Sequence, residues 1–378
     1  MIKDNANYAV VFLVGLVFTL LSFSGNVSSS TLYILEKICI AVIAAVSLSL
    51  VVGFLGELSL GHAGFMCAGA YLGGKTASLI IENTNLGNGL VTLIIALIVG
   101  GCIAAVLGFI IGLPALRLKG DYLAIVTLAF GEIVKSLFMN SSKKSFGGAM
   151  GLNTPRYDKN QLFIIGFVLV LITLAVIQNL MRSKHGRAIT AIRDNEIAAK
   201  ATGINVTKYK IMAFVVSSFF AGIAGVLYSY SNFTVQSMKF NYNYSIEILV
   251  MVVLGGMGSI NGSIIAATLV TILNAKLATI LTGNLAVLQN LIYALILVLL
   301  VIYNNAPALK GFREKYNLRV LFSKFSRKKD ASVISSDAAD WDKIPTKIEM
   351  DELLSMDLVV SDPNVPDKSE KEPEGGND

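Results

Sequence analysis

Charged residues make up only 15% of the 378-residue chain and hydrophobic ones 54%, a balance that excludes a soluble globular domain. Histidine occurs twice, at His62 and His185, far apart and with no second ligand set beside either, so no metal centre is expected. The three cysteines, Cys39, Cys67 and Cys102, all fall inside apolar runs, where a thiol packs as a small hydrophobe; this excludes a disulfide framework. A phosphate-cradling GxxxxGK-S/T loop is missing, and "GGMGSING" at 255–262 fails the GxGxxG pattern because Asn261 stands where the last glycine belongs. The chain therefore does not hydrolyse ATP itself, and with no converging nucleophile, base and carboxylate it is not expected to be an enzyme. The alternation that marks a membrane β-barrel is absent too.

What is there is one continuous apolar run after another. Mean hydropathy is +0.67, and runs long enough to cross a bilayer at about 20 residues each recur from Tyr8 to Tyr303. They predict an all-α polytopic membrane protein with crossings at 8–22, 36–55, 60–81, 89–113, 120–140, 162–182, 210–232, 244–256, 259–282 and 285–303, about ten in all within a range of 8–11. The first follows a short segment, 1–7, and is expected to be retained rather than cleaved as a signal peptide. Lys and Arg crowd 182–210 and 310–329, which puts those segments and both termini on the cytoplasmic side; loop 141–161, with Lys143, Lys144, Arg156 and Lys159, runs against that bias but is outweighed. After the transmembrane region 8–303 come a basic juxtamembrane segment, 304–329, and an acidic tail, 330–378, whose end is disordered by composition. The tail's middle, with Trp341, Ile348, Leu353, Leu354 and Met356, suits a solvated segment or a short partner-binding helix.

Glycine marks two further features. The patterns "GAYLG" at 69–73 and "AGIAG" at 221–225 predict helices packed backbone to backbone. "GELSLGHAGF" at 56–65 and "LGGMGSING" at 254–262 interrupt apolar stretches, as broken or re-entrant helices on a transport path do, or as tight turns with glycine for close packing do. Charges inside the spans are few: Glu57, Glu132, Lys135, Glu247 and Lys276. Each costs at least ~2.5–3.5 kcal/mol unpaired, so each needs a partner or water, and Lys135 at i+3 from Glu132 can supply one.

The polar stretch between two spans has an order of its own. From Arg187 to Thr202 the spacing predicts one helix with Ala188, Ala191, Ile192, Asn195, Ala198 and Ala199 on one side and Arg187, Thr190, Arg193, Asp194, Glu196 and Lys200 on the other. Glu196 and Lys200 form an i, i+4 pair, Gly203 and Ile204 predict a Schellman-type stop, and Asn205 or Thr207 can cap the next helix. Such a shallow face suits docking into a groove of another protein or lying on anionic lipid.

The chain resembles the LivM-type permease subunits of branched-chain amino acid ABC importers over about residues 35–305. The resemblance is carried by "GELSLGHAGF" at 56–65, "GDYLAIVTLAFGEI" at 120–133, "GGAMGLN" at 147–153, "AIRDNEIAAKATGINVTKYK" at 191–210, "FAGIAGVLY" at 220–228 and "VMVVLGGMGSINGSIIAA" at 250–267, together and in this order. It implies a bacterial or archaeal plasma-membrane subunit that pairs with a sister permease and two ATP-binding subunits and receives substrate from an extracytoplasmic binding protein. ATP and Mg belong to the partner subunits, this chain binds no cofactor, and its remaining contacts are with lipid, not nucleic acid. The family's ATPase-coupling role falls on Arg193, Glu196, Ala198, Ala199 and Gly203, although Ile197 separates the glutamate from the alanine pair here and Gly203 stands seven rather than six residues after it. The translocation path is expected at Gly61, His62, Gly64, Thr127, Gly131, Gly255, Gly256 and Gly258. Similar permeases carry urea or amides, nucleosides or sugars, and outside this class the residues also suit a stand-alone secondary transporter or channel.

Overall fold

The computed structural model describes residues 28–83, 87, 89–118 and 120–280, and beyond these the single helical positions 292, 294, 295 and 298. The expected segment 1–7, the crossing at 8–22, the crossing at 285–303 apart from those four positions, and the segments 304–329 and 330–378 lie outside the described residues.

Helix α1 (Ser29–Ser49) runs without interruption into a π-helical turn, Leu50–Leu55, and stops at Gly56, whose φ of +78° suits a residue without a side chain. Residues 56–61 are non-helical, and α2 (His62–Asn83) follows. Next come α3 (Leu90–Ala115), α4 (Asp121–Met139), the single turn α5 (Lys143–Phe146), a 3-10 turn at Gly148–Met150 and β1 (Leu152–Asn153). Then follow α6 (Lys159–Arg182), the polar pair α7 (Lys184–Asp194) and α8 (Glu196–Ala201), α9 (Val206–Asn232), β2 (Thr234–Val235), a 3-10 turn at Ser237–Lys239, α10 (Tyr242–Gly255) and α11 (Ile260–Ile280).

Among the described residues six helices are long and apolar enough to cross a bilayer: Ser29–Leu55, α3, α4, α6, α9 and α11. Two expected crossings differ from that pattern. Helix α2, at 60–81, is long enough but less apolar, and its first half, His62–Gly74, is almost wholly buried against neighbouring helices. Helix α10, at 244–256, has 14 residues and rises about 21 Å, short of the ~30 Å core. It ends where Gly256 and Gly258 take φ of +91° and +82°, and α11 turns back with Gly255 packed on Gly262.

Among the described residues, helices α2, α3 and α9 make the most extensive contacts with one another, and together with α1 they carry most of the core. The two small-residue patterns meet there: a methyl on Gly69 would lie 2.6 Å from Gly222 Cα, and Gly225 rests on the backbone of Met66. Tyr71, fully buried on α2, stacks on Phe138 with ring centroids 4.4 Å apart and donates its hydroxyl to the Val235 carbonyl at 2.9 Å. At that end β1 pairs antiparallel with β2, Leu152 opposite Val235, and Thr154 donates to the Ser229 carbonyl at 2.6 Å, so the 140–158 loop is pinned to the end of α9.

Candidate coupling site

At the other end of α9 lies the polar hairpin. Ser183 caps α7 by accepting the His185 N–H at 3.1 Å. Ala188, Ile189 and Ile192 are buried, and Ile189 and Ile192 pack with Leu50 and Leu55 of the π-helical turn and Val206 and Ala213 of α9. The single helix expected over 187–202 is not formed: it breaks at Asn195, whose backbone is extended (φ −158°) and whose Oδ1 accepts the N–H groups of Ile197 and Ala198, each at 3.0 Å. An asparagine side chain competes with the helical ladder in this way, and here it turns one helix into two. The expected alanine face is thereby divided. Ala188, Ile192 and Ala199 point inward, whereas Ala198 is exposed beside Ile197, which is 78% exposed. Helix α8 stops as expected, with Gly203 (φ +83°) donating to the Lys200 carbonyl and Ile204 to that of Ala199, both at 3.0 Å. Asn205, rather than Thr207, caps α9 by accepting the Lys208 N–H at 3.1 Å.

Two cations tie this hairpin to the helix break at 50–61. Arg193 donates to the Gly53 carbonyl at 3.3 Å and to Asp194 at 2.9 and 3.0 Å. A methyl on Gly56 would lie 2.7 Å from its Cγ, and one on Gly53 would lie 2.6 Å from the Gly258 nitrogen, so 53–56, Arg193 and the 256–258 turn converge. Lys210, on α9, is only 4% exposed and pairs with Glu57 and, at 3.2 Å, with Glu196. Glu196 gives its other oxygen to Lys200 at 2.9 Å. The hydrogen bond from Lys200 holds the Glu196 carboxyl below its ordinary value; partial burial opposes this and Lys210 adds to it.

Sequence reasoning missed Ile197, treated as an insertion, and the Lys210 bridge. The available signal was a lysine standing at the start of an apolar run, where an ammonium needs a counter-ion, together with the unassigned Glu57. The Glu132–Lys135 pair is present, and Glu132 also accepts the Tyr242 N–H at 3.0 Å.

The residues expected on the path fall into two groups. Gly61, Gly64, Thr127 and Gly131 form the contact of α2 with α4: a methyl on Gly61 would lie 2.6 Å from the Thr127 carbonyl oxygen, one on Gly64 2.7 Å from Gly131 Cα, and the Leu60 N–H donates to Thr127 Oγ1 at 3.0 Å. His62 sits beside them, buried, with Nε2 2.9 Å from Ser47 Oγ. Gly255, Gly256 and Gly258 make the α10–α11 turn. A cavity of about 950 Å³ opens elsewhere, between α1, the end of α9, α10 and α11, lined by Tyr33, Lys37, Lys239, Glu247, Met251 and Asn274 among others; none of the eight expected path residues reaches it.

A family model described as "Branched-chain amino acid transport system / permease component" matches residues 30–302. The chain is 35% identical over 294 residues to the high-affinity branched-chain amino acid transport system permease protein LivM of Escherichia coli (strain K12), covering 69% of this chain and 67% of that protein. It is 30% identical over 211 residues to the probable branched-chain amino acid transport permease protein LivM of Methanocaldococcus jannaschii, covering 52% and 59%. Against the ribose import permease protein RbsC of Escherichia coli (strain K12) identity is 27% over 320 residues, 81% of this chain and 94% of that one. No solved structure matches. The family match extends from the first described helix past the last continuous one, and the first of these relatives is alike over two thirds of both chains: this multi-pass membrane protein belongs to the family of permease components of branched-chain amino acid transport systems.

Proposed function

We propose that the chain is one of two permease subunits of an ATP-driven importer for branched-chain amino acids, and that α7–α8 is where an ATP-binding subunit docks. One observation carries this reading: the exposed ridge of Ile197 and Ala198 stands on a helix capped at both ends, by Asn195 and by the Gly203 stop, in a hairpin whose α7 is bonded through Arg193 to Gly53 and whose α8 is bonded through Glu196 and Lys210 to Glu57. A rigid apolar ridge is what a groove on a partner can grip, and a flexible connector would lose the motion applied to it. In this reading Arg193, Glu196, Ala198, Ala199 and Gly203 are the coupling residues. Ala198 touches the partner, whereas Ala199 anchors the hairpin from inside. The hairpin and both termini face the cytoplasm, the 140–158 and 233–241 loops face the substrate-binding protein, and ATP and Mg²⁺ reside in the partner subunits. Work is done by shifting the balance between inward-open and outward-open arrangements, for which the docked subunit must contact the two differently.

The test is co-purification of the detergent-solubilised permease pair with its ATP-binding subunits, wild type against Ile197→Glu/Ala198→Glu. Both positions are exposed, so folding is spared, and the ATPases should remain with the wild type and leave the variant. Absence of any ATPase from the wild type would hand the reading to a stand-alone transporter. In the reconstituted complex, isoleucine and valine should compete with labelled leucine; competition by ribose instead would move the cargo to sugars.

A further inference from the structure

The coupling reading leaves open how a push on the hairpin reaches the spans, and the buried charges beside it suggest the route. The Lys210 ammonium is shared between carboxylates on two separate elements, Glu196 of α8 and Glu57 of the non-helical segment 56–61. One counter-ion would satisfy a structural lysine. Here two compete for it, and they differ in what remains when they let go. Glu196 Oε1 already holds Lys200, so Glu196 leaves Lys210 without becoming an unpaired anion, and Lys210 keeps Glu57. Glu57 has only 14% of its side chain exposed, and no other salt bridge to it is found among the described residues, so it has no such exit. With the Glu196–Lys210 contact broken, Lys210 still holds Glu57 and Glu196 still holds Lys200, so neither is left unpaired, and that lowers the usual cost of opening a buried ion pair.

The segment that Glu57 belongs to is suited to receive the motion. Its backbone leaves the π-helical turn at Gly56, and its far end is held to α4 through the Leu60 N–H on Thr127 Oγ1 before α2 begins at His62. A displaced helix carries its load along its whole length, whereas six non-helical residues can be re-aimed locally, and breaks of this kind recur at sites that move. Resting on the docking of α7–α8 described above, we propose that Lys210 is a positioning residue in a releasable clasp: its contact with Glu57 is permanent, and its contact with Glu196 is made in one transport state and broken in the other.

The experiment measures leucine transported per ATP hydrolysed in proteoliposomes holding the full complex of permeases, ATPases and binding protein. Lys210→Met should keep the ATPases bound in detergent, yet transport per ATP should fall about tenfold, the middle of the usual range for coupling between sites. Lys210→Arg, which can span the same two carboxylates, should recover most of the ratio. If Lys210→Met does not fold, Glu196→Gln carries the test, because it leaves Lys210 paired with Glu57; it should lower the same ratio while the solubilised pair unfolds only slightly below the wild-type temperature, by the little that a partly exposed ion pair contributes. A wild-type ratio in Glu196→Gln, or a lowered ratio in a variant that has lost its cooperative unfolding transition, would overturn the clasp and leave Lys210 a structural ion pair. Loss of the ATPases from wild type and variants alike would instead overturn the docking reading, and the clasp with it.

Discussion

Glu196 holds two cations on one carboxylate, Lys200 at 2.9 Å and Lys210 at 3.2 Å, and this makes its protonation a mechanical variable. The ionised form is favoured first by the Lys200 hydrogen bond, so the folded value lies below the ordinary 4.5. A carboxylate with a depressed folded value contributes stability that is whole above its unfolded value and is lost as the pH falls through the folded one. Hydrogen-exchange protection of residues 196–204 should therefore be flat from neutrality down to about 4.5 and fall below it, and Glu196→Gln should erase that acid-side step. A step centred near 6.5, the ordinary histidine value, would assign the hairpin's acid response to another group and refute this account.

The hairpin shows what a sequence pattern can and cannot convey about an element. The apolar spacing of 187–202 correctly marks a helical, partly buried segment, and the glycine stop at Gly203 is legible because only a left-handed residue lets the Ile204 N–H reach the Ala199 carbonyl. The break is harder to see, because an asparagine at a helical spacing reads as one more polar position until its side chain is known to cap the residues that follow. That cap decides which alanine faces out. Asn195→Ala removes it at a cost of ~1 kcal/mol and favours the fused helix, which would turn Ile197 and Ala198 away from their present line. Titration of the ATP-binding subunit onto the permease pair in nanodiscs should then show about fivefold weaker binding, while Asn195→Asp, an equally good cap, should bind like wild type. Equal binding by Asn195→Ala would mean that the ridge geometry is irrelevant to docking.

Across the whole molecule, helix positions were legible because apolar runs of crossing length leave few alternatives, and every described helix expected from them is present. Long-range partners were not. Lys210 and Glu57 are 153 residues apart, and no local period joins them. The expected path residues fall into two groups for a related reason: glycine at depth marks either a backbone opened to a ligand or two helices in contact, and sequence spacing does not distinguish them. Helix α2 is the instructive case. It is clamped by α4 at Gly64 and at Gly61 just before its first turn, by α9 at Gly69, and by α3 at Gly73, where a methyl would lie 2.9 Å from the Ala96 carbonyl oxygen. A helix enclosed on three sides needs small residues more than apolar ones, which explains why it falls short in apolarity and yet sits at the centre. Gly64→Ala should then act as overpacking: a methyl 2.7 Å from Gly131 Cα drives α2 and α4 apart, at ~1–3 kcal/mol of stability. Thermal unfolding of the solubilised protein should occur at a lower temperature, and whatever complex assembles should keep the wild-type half-saturating leucine concentration. The opposite pattern, unchanged unfolding with weakened leucine affinity, would return Gly64 to the substrate path, because a glycine that merely lets helices approach has no contact with the cargo to lose.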